Sequence, residues 1–190
     1  ILAEYLRKKG YEVDVFCLQK KYYKGDALKA LNQLQIKSKS ILDLKIKKKS
    51  VVIDCLFGTG ISRKISGFLR KTIFKINKSK QKTISIDIPS GVHGDTGKVC
   101  GCAIKANETL ALHAKKIGHT LYPGKTYCGK IIVVDIGISK KFNNYLIGIS
   151  FLFFCSGTIF SQPFNNRPSL SSAPFTFTSF AIVKDLENDL

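Results

Sequence analysis

The chain has no methionine, no tryptophan, only four arginines, five prolines and thirteen acidic residues in 190. Each shortage removes an explanation. With Ile at position 1 and no methionine, ILAEYLRKK reads as a helix entered midway: Leu2, Tyr5 and Leu6 share a face, and Lys8, Lys9 and Gly10 close it. The expectation is a chain truncated at its N-terminus. The scarcity of arginine weighs against a nucleic-acid partner despite a formal net charge of +18, because specific phosphate and base contacts favour the planar arginine fork. The densest basic run, Lys45–Lys49, stands ahead of an apolar strand and reads as a solvated loop. A positive field of this kind still concentrates anionic small molecules.

The six cysteines include no CxxC pair, and no histidine stands at zinc-finger spacing. Cys17 and Cys55 lie in apolar runs where cysteine acts as a small hydrophobe. Cys100 and Cys102 lack a second pair to complete a metal site, so the reading is reduced thiols in a cytosolic protein. No signal peptide is visible. The longest apolar run, Leu146–Phe160, contains Gly, Ser and Thr and falls short of the roughly 20 residues a membrane span needs. It reads as a buried strand pair or an extension, and no membrane partner is expected. The expected location is cytoplasmic, with organellar targeting left open by the missing N-terminus.

What is present is alternation. Apolar, β-rich runs at 12–18, 51–57, 83–88, 108–112 and 130–138 predict strands. Helices are predicted between them at 24–34, capped by Asp26, and at 66–77 with Phe68, Leu69, Ile73 and Ile76 inward. This is a doubly wound α/β layout with a mostly parallel sheet covered on both faces. Residues 1–139 form the predicted domain, and 140–190 an apolar, then Ser/Pro/Phe-rich tail without an interpretable motif.

Two strand ends share a design, and ligands of such sheets bind outside the carboxyl ends of the strands. VVIDCLFGTG delivers Asp54 before Gly58 and Gly60, and ISIDIPSG delivers Asp87 before Pro89, Ser90 and Gly91. A carboxylate buried there must find a cation, a donor or a ligand; alternatively, each Asp caps the turn that follows it. Gly58, Thr59, Gly60, Ile61, Ser62, Arg63 and Lys64 form a loop suited to phosphate, with backbone N–H groups, hydroxyls and two cations. GTG is neither a Walker A sequence nor a complete GxGxxG.

DCLFGTG, SIDIPSG, GDTGKVCGCAIKANETLAL and YPGKTYCGKIIVVDIGI, in this order and spacing, make residues 1 to 138 resemble the YjeF N-terminal domain family. The KGDA at Lys24–Ala27 also fits. The resemblance implies a Rossmann-like three-layer αβα sandwich and an NAD(P)H-hydrate epimerase, an isomerase of nicotinamide cofactor repair. It interconverts the R and S forms of hydrated NADH or NADPH at C6. It further implies that Asp54 and Ser90 are ligands of a potassium ion, that Gly58–Lys64 holds the hydrated dinucleotide, and that Asp87 contacts the ligand near the damaged ring. Asp87 is then the expected acid–base group, Lys24 a candidate assistant, and Asp135 of VVDIGI a structural hydrogen-bonding residue.

One departure matters. The family carries a strand and an Asn/Gly-rich loop ahead of the opening helix, and that loop helps bind dinucleotide and potassium. Neither is present here, so the 190-residue chain is expected to be inactive or weakly active. Expected partners are the small-molecule substrate, a second copy in a homodimer, and a dehydratase domain or protein. The competing reading is a non-catalytic YjeF-like scaffold that binds RNA or protein.

Overall fold

The structure is a computed structural model and describes residues 2–23, 25–137 and 179–184. The predicted alternation is present: α1 (Leu2–Lys8), β1 (Val13–Cys17), α2 (Gly25–Asn32), β2 (Lys39–Ser40), β3 (Ser50–Cys55), α3 (Gly67–Ser79), β4 (Thr83–Ile86), β5 (Glu108–Leu112), β6 (Lys130–Val134) and β7 (Ser179–Lys184). They build one seven-stranded sheet in the order β2-β1-β7-β3-β4-β5-β6. The pairs β1–β2, β3–β4, β4–β5 and β5–β6 are parallel.

β7 is the exception. It runs antiparallel between β1 and β3, with Val183 opposite both Val13 and Val51 and Ser179 opposite both Cys17 and Cys55. A segment set apart in the sequence as a tail is thus a strand of the main sheet. The apolar run Leu146–Phe160 lies outside the described residues.

Alternation along the strands sorts the helices into two layers. Val52, Leu56 and Phe16 point to the face covered by α3, where they pack with Ile73, Ile76 and Ile104. Val51 and Ile53 point to the other face, against Leu6 of α1. Val15 and Cys17 pack there too, against Ala27, Leu28 and Leu31 of α2. Helices on both faces of a mostly parallel sheet are the Rossmann-like, three-layer arrangement.

Two expectations need correction. α2 begins at Gly25, so Asp26 is the second residue of the helix and does not stand ahead of it. In α3 the buried stripe is Thr72, Ile73 and Ile76 with Leu69 packed against it, whereas Phe68 is 39% exposed. Positions 69, 72, 73 and 76 follow the i, i+3, i+4, i+7 stripe, and residue 68 lies about 100° around the helix from 69. Thr72 is accommodated by donating its hydroxyl to Phe68 O at 3.0 Å.

Candidate active site

The carboxyl ends of β3, β4 and β5 are neighbours, because β4 pairs with both of the others. Asp54 and Asp87 therefore stand on adjacent strands, yet their surroundings differ. Asp54 is 1% exposed. Its Oδ1 accepts from Leu56 N–H at 3.2 Å and Ser90 Oγ at 2.5 Å, and its Oδ2 from Ser85 Oγ at 2.8 Å and Ser90 N–H at 2.9 Å. Burial pushes its carboxyl above the usual range, and the four donated bonds oppose that shift. Leu56 N–H at i+2 is the bond of an Asp capping its own turn, and the serines add a clamp on the turn after β4.

That arrangement bears on the potassium ion. Ser90 Oγ, besides donating to Asp54, accepts from Phe57 N–H at 2.9 Å. An all-oxygen cluster suits a hard cation in principle. Here each carboxylate oxygen already takes two donors, which fills the roughly four acceptor positions of the group. As they stand, the Asp54 oxygens are taken up by Leu56, Ser85 and Ser90, while the Ser90 hydroxyl keeps one lone pair; a cation here would have to displace the two serine hydroxyl donors. No cluster of three or more His, Cys, Asp or Glu that could hold a metal occurs among the described residues.

Asp87 is half-buried and sits in the left-handed region at φ 70°. Its Oδ1 is ion-paired with the Lys116 ammonium, whose other recorded bond goes to Leu112 O at 2.7 Å. The side chains of Asp87 and Lys116 keep 13% and 25% of their exposure, so the pair remains reachable from solvent. Its main chain is tied to the β5 side: Asp87 N–H donates to Leu110 O at 2.8 Å, and Asp87 O lies 2.8 Å from His119 Nε2. His119 is 1% exposed, and its Nδ1 accepts from Lys116 N–H at 2.8 Å. Burial holds this imidazole below its ordinary value, with the Lys116 and Lys115 charges acting in the same sense.

Lys116 and His119 were not singled out from the sequence. The available signal was the strand-end rule applied a third time, to HAKKIGH after β5.

The loop Gly58–Lys64 runs beside this turn. Ile65 N–H donates to Cys100 O at 2.8 Å, and a Cβ on Gly94 would lie 2.9 Å from Thr59 Cβ, so the loop lies against the segment following Gly91. Thr59, Gly60, Ser62, Arg63 and Lys64 are exposed, and among the described residues neither cation forms an ion pair. The structure thus brings together Asp54, Ser90, Asp87 and the glycine loop. It does not describe Lys24, and Asp135 makes a turn by accepting from Gly137 N–H at 2.8 Å.

A Rossmann-like sheet with its polar groups gathered at the carboxyl ends of β3, β4 and β5 is the frame of a nucleotide-handling domain. Residues 1–118 match the family described as YjeF-related protein N-terminus, and the chain belongs to it. The NAD(P)H-hydrate epimerase of Lentilactobacillus buchneri is 37% identical over 144 residues, covering 74% of this chain and 66% of that protein. That of Levilactobacillus brevis is 33% identical over 141 residues, 72% of this chain and 65% of that protein. The Bifunctional NAD(P)H-hydrate repair enzyme Nnr of Thermofilum pendens is 47% identical over 90 residues, 47% of this chain but 17% of that protein. The chain thus spans between 17% and 66% of the length of these relatives.

Proposed function

We propose that this chain carries the active site of an NAD(P)H-hydrate epimerase, with Asp87 and Lys116 as its acid–base pair. The observation that supports this most is the ion pair of Asp87 with Lys116, reachable from solvent and set beside an open cationic glycine loop. The names of the relatives supply the substrate class. Gly58–Lys64 would hold the phosphates of hydrated NADH or NADPH through backbone N–H groups, Arg63 and Lys64.

The hydroxylated C6 neighbours the ring nitrogen. The nitrogen lone pair expels the C6 hydroxyl as an iminium forms, and the departing oxygen takes a proton from the Lys116 ammonium and leaves as water. The planar iminium then turns its other face to the same pair, and a water bonds to C6 there and gives its proton to the Asp87 carboxylate. Proton transfer from Asp87 to Lys116 restores the starting pair. Such positioned acid–base help is worth about 10²–10⁴-fold. Asp54 is excluded from proton transfer by its four donors. In proteins whose names are bifunctional, a second activity accompanies this one; a dehydratase domain or protein is the partner proposed here.

The test is interconversion of purified R and S epimers, followed by chromatography with the chain in excess over substrate so that slow turnover is measured. Wild type should exceed the spontaneous rate and Asp87→Ala should not, with circular dichroism unchanged. A rate equal to the spontaneous one, both in this chain and in one with an N-terminal strand and Asn/Gly-rich loop added ahead of α1, sinks the reading.

A further inference from the structure

We propose that His119 is a positioning residue that sets the Asp87–Lys116 pair by binding the main chain of both partners with one neutral imidazole. The inference rests on the proposed acid–base role of that pair and goes beyond it by naming what holds the pair in place.

The geometry carries the claim. A neutral imidazole offers one donor and one acceptor. Because Nδ1 accepts from Lys116 N–H, the proton is on Nε2, which donates to Asp87 O. One ring therefore spans the end of β4 and the loop after β5, fixing the two residues whose side chains meet across the gap. Asp87 needs such an anchor, because a non-glycine residue at φ 70° persists only where its surroundings impose that conformation. Its N–H is held by Leu110 O and its C=O by His119, so the left-handed kink that aims the carboxylate is tied on both sides.

The ring itself is seated by its neighbour. Gly118 N–H donates to Gly94 O at 2.5 Å, and a Cβ on Gly118 would collide with His93 O and come within 2.7 Å of Gly94 O. Only glycine permits that approach, and the approach delivers His119 into the interior. The ionisable groups near the ring are Lys116, Asp87 and Lys115. A second proton on the ring would turn Nδ1 into a donor facing the Lys116 N–H, and the bridge would break.

Two substitutions separate the two bonds. His119→Gln places an amide N–H near the Nε2 position and keeps the bond to Asp87 O; His119→Asn keeps an acceptor near Nδ1 for Lys116 N–H and loses the bond to Asp87. In the full chain, His119→Gln should retain most of kcat, whereas His119→Asn should lower kcat about 10²-fold with little change in KM, the scale of a misplaced reacting group. Equal kcat in the two variants overturns the proposal. Independently of activity, long-range ¹H–¹⁵N spectra of the wild-type imidazole should show the Nε2–H tautomer, and the amide resonance of Asp87 should move in the Asn variant and much less in the Gln variant. An Nδ1–H tautomer, or equal movement in both, also overturns it. If wild type fails to interconvert the epimers both with and without the added N-terminal strand and loop, the proposed function falls, and the spectra alone still decide whether His119 holds the turn.

Discussion

Replacing Asp54 with alanine is the sharpest test of how this site is built. Four donors converge on that carboxylate: Leu56 N–H, Ser90 N–H and the hydroxyls of Ser85 and Ser90. The hydroxyls can rotate, and Ser90 Oγ already lies 3.3 Å from Phe57 O. The two backbone N–H groups cannot, and each buried donor left without an acceptor costs about 1–3 kcal/mol. Adding the space left behind, the loss should be about 3–5 kcal/mol, a large part of the roughly 5–15 kcal/mol that holds a domain together. For a chain of this size that corresponds to a melting temperature lower by about 6–20 °C. Asp54→Asn keeps one acceptor and turns an amide toward the remaining donors, so it should fall between alanine and wild type. Thermal melts followed by far-UV circular dichroism measure both. A loss under about 1 kcal/mol for alanine would refute the clamp, since that is the scale of an ordinary exposed position. So would a wild-type melting temperature that climbs with KCl but not with NaCl at equal ionic strength, if Asp54→Asn abolishes the difference. Specific binding to the native state produces that signature, and it would mean that the carboxylate oxygens are open to a cation.

Lys116→Met should lower kcat by about 10²–10⁴-fold with only a small change in melting temperature, because the ion pair is partly solvated; stopped-time epimer assays and melts read the two effects. Arg63→Ala and Lys64→Ala should raise KM and leave kcat nearly unchanged, because they remove binding common to the ground and transition states; wild-type KM should itself rise with salt. Gly118→Ala should cost about 1–3 kcal/mol by forcing backbone apart, measurable in urea melts. His119 yields a pH dependence with a definite sign: its folded value lies below the ordinary 6.5, so the native chain binds fewer protons than the unfolded chain just below that pH. Its contribution to stability is complete above pH 6.5 and is lost as pH falls through 6.5 toward the folded value. The stability difference between wild type and His119→Gln, measured by urea melts from about pH 8 to pH 5, should shrink toward the acid side.

The parts of this fold that could be read in the sequence are those in which burial is written locally. β3 is buried along nearly its whole length, and SVVIDC is correspondingly almost free of surface residues. The central strands of a covered sheet read as apolar runs for this reason. β2 has two residues, both exposed, and so has no pattern to detect. β7 owes its place to pairing with β1 and β3, strands more than a hundred residues earlier; no local periodicity encodes such a partner choice. The same limit explains the site. Asp54 and Asp87 each end an apolar run and carry glycine beside them, whereas Lys116 and His119 follow β5 among other basic residues and look like a solvated loop. Their partner is 29 and 32 residues away, and only the β4–β5 pairing brings it to them.

The two carboxylates look alike in sequence and have been given opposite tasks by their donors. Asp54 takes four donated hydrogen bonds, two of them from backbone N–H groups, and with them it grips Ser90 and ties the turn to β3. Asp87, three residues earlier in that turn, keeps partial exposure, and its carboxylate faces the Lys116 ammonium in place of backbone donors. The turn between them is therefore pinned at Ser90 by Asp54 and at Asp87 by His119, with Gly91 at φ 103° absorbing the bend. A reactive carboxylate needs an environment that can accept a change in its charge, and a clamp needs one that cannot. With the acid–base role proposed for Asp87, two adjacent strand ends supply one of each.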